Sequence, residues 1–204
     1  MRWASLLLGA FLGVLLFVAA RFLFLPPPPA VHYHANFAVF VDGQRLDLSG
    51  SRYMEDVTAC AADPAGMRPQ DRVHLHNNDQ DVVHVHHNAA TWGHLFANLG
   101  FGLGDTYLIL DDGRHLFDGQ DGRTLKFFLD GQQVLEMANR PVRSEEHVLV
   151  SFGSETPEQA LATQWPAVKT NAGEFNHMQD PAGCAGSMRK LTVGEKIRRA
   201  VWAP

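Results

Sequence analysis

Beyond Val31 the chain alternates apolar and polar residues with a period of two, the mark of strands buried on one face. In "HYHANFAVFV" the residues Tyr33, Ala35, Phe37, Val39 and Val41 share one face, and His32, His34 and Asn36 share the other. The same alternation predicts strands over 32–41, 44–48, 72–77, 82–87, 105–110, 123–129, 132–136 and 146–152. Asp-Gly pairs at 42–43, 112–113 and 130–131 are the turn residues of tight hairpins. "FVDGQRL" from Phe40 and "FLDGQQV" from Phe128 agree at four of seven positions, as two hairpins with one turn chemistry would.

Helical spacing is rarer. Thr91 is a natural N-cap and Gly100 a natural stop for a helix over 91–98. A second short helix is expected after Thr156, with Pro157 at its first position. The last forty residues, rich in Ala, Gly and Pro, read as irregular chain wrapping the sheet. The expected fold is mainly β, an antiparallel sandwich or open barrel rich in hairpins, with one or two short helices.

The first 25 residues have another pattern. Ala4 to Ala20 is a seventeen-residue run without charge, and Phe22 to Leu25 resume it after Arg21. A helix over 3–25 matches a hydrocarbon layer of about 30 Å, with Arg21 reaching toward the headgroups. A cleaved signal peptide ending at Val18-Ala19-Ala20 is the alternative. The apolar run is longer than a signal core and continues past that point, which favours an uncleaved transmembrane anchor. Arg2 would keep its N-terminus in the cytoplasm and send the rest to the periplasmic or extracellular side of the inner membrane. Ser5, Gly9 and Gly13, four residues apart, would let another helix pack closely, although glycine is common in membrane helices generally. Pro26–Pro29 form a semi-rigid spacer within 26–30, and a β-rich domain occupies 31–204.

The chain has 204 residues and a formal charge of −5, with no Lys/Arg cluster, so nucleic acid is not an expected partner. Cys60 and Cys184 are suited to a disulfide in an oxidising compartment. A copper–thiolate site at Cys184 with Met178 and Met188 is the lesser reading. No nucleophile elbow or phosphate-binding loop is present.

The unusual residue is histidine, with eleven copies. Five fall in "HLHNNDQDVVHVHH" from His74 to His87. If Val73, Leu75, Val83 and Val85 are buried together, the hairpin loop is odd-numbered, and His74, His76, His84 and His86 emerge on the opposite face. The expected pairing sets His76 against His84 and His74 against His86. His32 and His34 join them if the first strand is adjacent. Crowded imidazoles resist protonation and suit Zn²⁺ or Cu²⁺, with Asp79 or Asp81 as a further ligand. A solvated or partner-facing surface that answers to pH is the bland alternative. His87 has core parity, His94 is a candidate extra ligand, and His115, His147 and His177 are isolated.

"HYHANFAVFVDG", "HLHNNDQDVVHVHH" and "TWGHLFANLG" together resemble a prokaryotic group of membrane-anchored extracytoplasmic proteins without an established activity. The resemblance spans roughly Val31–Phe117. It implies an outer location and clustered histidines. The group's acidic residue after the first H-x-H is Asn77 here, and its glutamate after the next histidine is His86. The sequence thus points to a membrane-anchored transition-metal-binding domain for metal handling or stabilisation. A non-catalytic accessory subunit of a respiratory or photosynthetic membrane complex is a second expectation. A cupin-like metalloenzyme, suggested by His74, His76 and Asp81, is a third.

Overall fold

The computed structural model describes residues 2–24, 31–55, 68–178 and 192–202, which fall into two compact units. The spacer, Cys60, Cys184 and Met188 lie outside the described residues. One unit joins helix α1 (Arg2–Phe24) to a helix over Val193–Trp202. Within α1, the 22 residues Trp3–Phe24 are long and apolar enough to cross a membrane.

The other unit runs through β1 (Tyr33–Val41), β2 (Gln44–Arg45), β3 (Val73–His74), β4 (Val82–Val85), α2 (Trp92–Asn98), β5 (Gly102–Leu103), β6 (Tyr107–Ile109), β7 (His115–Phe117), β8 (Thr124–Leu129), β9 (Gln132–Val134), β10 (His147–Gly153), α3 (Pro157–Thr163) and α4 (Ala172–Asn176). The Val193–Trp202 helix is therefore α5. A seven-stranded sheet has the order β3-β4-β1-β10-β8-β9, with β2 also paired to β1, and β5-β6-β7 form a small second sheet. The mainly β expectation holds. β1 and β10 run parallel, Asn36 opposite His147 through Val41 opposite Phe152, while their other partners are antiparallel. The intervening chain supplies the long crossover that a parallel pair requires.

The alternation in β1 works as read. Ala35 and Phe37 are fully buried with Val73, Leu75, Val83 and Val85 in the larger core. Trp92 and Phe96 of α2 cover it, their rings 6.3 and 6.4 Å from Phe37. Thr91 Oγ1 accepts from His94 N at 3.2 Å, and Gly100 ends the helix with a φ of +82°. Thr156 caps α3 in the same way.

The opposite face is not simply polar. Ala38, Phe40, Phe128 and Leu149 form a second, smaller core with Ala160 of α3 and Val168. The segment expected to be irregular contributes α4 and α5 among the described residues. β5 and β7 were not expected, because two or three residues are too few to show alternation.

Candidate metal centre

The histidines occupy the part of the second face where three strands meet. β3 pairs with β4 so that His74 lies opposite His84, and β4 pairs with β1 so that His84 lies opposite His34. The hairpin register is thus two residues away from the expected pairing of His76 with His84 and of His74 with His86. Asn77 and Asn78 adopt positive φ, and Asp79 N donates to His76 O at 3.1 Å. The chain therefore turns immediately after His76. Leu75 leaves β3 to bridge Met54. A shift of two preserves parity, so each side chain keeps its face.

His84 is the hub of the group. Its ring centroid is 4.8 Å from that of His32, 4.9 Å from His34, 5.0 Å from His74, 4.7 Å from His76 and 5.8 Å from His86. All six expected residues are thus brought together. His34 Nε2 and His76 Nε2 each lie 3.1 Å from His84 Nδ1. Ligand nitrogens about 2.0–2.1 Å from a tetrahedral ion lie roughly 3.3 Å apart, close to each of these two separations. His32, His34 and His84 each offer a nitrogen, all within 4.8 Å of one another, and could hold a metal ion.

Burial keeps His74 and His84 neutral. His34, His74 and His84 are 3%, 1% and 0% exposed. Desolvation, reinforced by His86, His76 and His34, lowers the His74 pKa to about 3. His84 is lowered too, first by burial and then by the surrounding imidazoles. Neutral imidazole is the form that ligates metals.

Asn176 of α4 orients His34. Its Oδ1 accepts the His34 backbone N–H at 2.8 Å and lies 3.1 Å from His34 Nδ1. Its Nδ2 donates to Ser144 Oγ and Glu145 Oε1 at 3.0 and 3.1 Å, which fixes the amide. An amide oxygen can only accept, so Nδ1 carries the proton and Nε2 presents its lone pair toward His84. Phe175 packs on the same imidazole, centroids 5.7 Å apart. Asn36 binds the start of α4: its Nδ2 donates to Asn171 Oδ1 at 2.9 Å, and its Oδ1 accepts from Ala172 N at 2.8 Å. Nothing local in "TNAGEFNH" marks Asn176 for this role. It is visible only once the chain has folded over the sheet.

The other candidates are placed elsewhere. The Asp81 carboxylate pairs with Arg45, and Asp79 Oδ1 accepts from Asp81 N at 2.8 Å. Both acids therefore serve the turn and Arg45. His94 Nδ1 accepts from Thr91 N at 3.2 Å, closing a capping box. His87 is half-buried at the strand end, with Nδ1 2.8 Å from Asn88 O, and is not the core residue its parity suggested. His147 Nδ1 lies 3.2 Å from Asp130, His115 and His177 are exposed, and Met178 is exposed. No family model, curated protein or solved structure matches the chain.

Proposed function

We propose that this is a membrane-anchored, extracytoplasmic domain that binds Cu²⁺ or Zn²⁺ for metal handling or structural stabilisation. The observation that carries the reading is the convergence of His34 Nε2 and His76 Nε2 on His84 Nδ1, each at 3.1 Å. The donors are all nitrogen, and His84 at their centre is fully buried and neutral, which suits these two ions. His32, His74 and His86 extend the set. The length and apolarity of α1 support the anchor, and the resemblance over Val31–Phe117 supports the outer location. Titrating the metal-free chain with Zn²⁺ and with Cu²⁺ tests the proposal: tight saturable binding is expected, and weak non-saturable uptake of both would refute it.

A second reading, an accessory subunit docked through α1, draws on the small-residue stripe. Among the described residues, a Cβ added at Gly9 or Gly13 would meet nothing within 4 Å, so these two positions leave room for a neighbouring helix. Purification in mild detergent should then retain companion subunits, and a lone monomer would exclude it.

A further inference from the structure

We infer that α5 lies along the membrane–water boundary at the end of α1, with its apolar stripe among the acyl chains and its basic residues against anionic lipid headgroups. The inference rests on α1 crossing a membrane and is independent of the histidine site.

α5 reads "VGEKIRRAVW". Val193, Ile197 and Val201 recur every four residues and form one stripe. They are 66%, 52% and 48% exposed, whereas neighbouring Ala200 is buried. The helix packs on the last turn of α1: Arg21 Nη2 donates to Arg199 O at 3.3 Å, and Lys196 Nζ sits 5.9 Å from the centre of the Phe22 ring. The contact falls where a membrane-spanning α1 would leave the hydrocarbon. Three large aliphatic side chains uncovered at that level are adjacent to the surface that already accommodates α1. At about 1.5 Å per residue, ten residues rise only about 15 Å, far short of a span. A short helix with one apolar stripe and a charged opposite side instead lies in the interface plane.

Charge indicates which lipid. Lys196 and Arg198 are exposed on α5, and Glu195 is the acid within it. Glu195 is engaged at the helix start, its Oε2 accepting from Thr192 N at 3.0 Å and from Thr192 Oγ1 at 2.9 Å. The surface that remains is basic. Each such cation near an anionic leaflet contributes about 1 kcal/mol of attraction.

The test uses the full chain in nanodiscs of phosphatidylcholine, with and without phosphatidylglycerol. A ketone-bearing amino acid carrying a nitroxide replaces Leu12, Ile197 or Arg198 in turn. Relaxation by oxygen reports acyl chains, and relaxation by a water-soluble nickel chelate reports solvent. The label at 197 should respond to oxygen and that at 198 to nickel, with 197 lying shallower when phosphatidylglycerol is omitted. Equal nickel access at 197 and 198 would place the stripe in water and overturn the inference. Shielding of 197 from both reagents would mean that protein covers it, and would overturn it equally. An unchanged depth without phosphatidylglycerol would remove the headgroup contact. Nickel access at 12 would instead show that α1 itself is not in the bilayer.

Discussion

His34 and Asn176, 142 residues apart in sequence, are joined twice through one oxygen: Asn176 Oδ1 accepts the His34 backbone N–H at 2.8 Å and the Nδ1–H at 3.1 Å. The pair ties the ring orientation on β1 to α4. Replacing the amide with Asn176→Ala should leave the tautomer of His34 undefined and weaken metal binding by about 10–100-fold. Asn176→Asp still accepts from His34 but sets a second carboxylate oxygen against Glu145 Oε1, so it should recover only part of the affinity. Competition with a chelator of known strength measures both, and wild-type affinity in Asn176→Ala would show that the amide plays no part.

Acid should destabilise the metal-free domain. His74 takes its proton near pH 3 when folded but near 6.5 when unfolded, and His84 is shifted the same way. Below about pH 6.5 the unfolded chain binds protons that the folded chain refuses, so stability is complete above that pH and falls on acidification. The slope reaches about 1.4 kcal/mol per pH unit for each such histidine. Urea denaturation between pH 7.5 and 5 checks this. His84→Asn should flatten the curve, and a wild-type curve already flat over that range would contradict the burial of these rings.

The larger core decides which way the histidines point, so a deletion there has a defined cost. Phe37 is fully buried against Trp92 and Phe96. Phe37→Ala should lose about 3–5 kcal/mol, read as a drop in the denaturation midpoint. A loss under about 1 kcal/mol would mean that this face is not the main core.

Much of this site was legible from alternation alone. With Val73, Leu75, Val83 and Val85 in the core, His74, His76, His84 and His86 had to share the far side, and they do. The register was not legible: pairings differing by two residues bury the same side chains, and the choice fell to Asn77 and Asn78, whose left-handed backbone sets the turn. The cover over β1 was hidden as well. Ala38 and Phe40 share the parity of His34 and Asn36 and are covered by Ala160 of α3, and Asn36 is bound by α4, contacts that strand alternation does not encode. Helices of five to seven residues over a sheet leave little periodicity to detect.

The central claim, that imidazoles converging on His84 hold a metal ion, is tested most directly by elemental analysis of the full chain purified without added metal. The measurement is repeated for a His76→Ala/His84→Ala double variant and for His94→Ala. The wild type and His94→Ala should carry zinc or copper at near-stoichiometric levels, and the double variant should carry almost none. Equal metal in the double variant and the wild type would contradict the account.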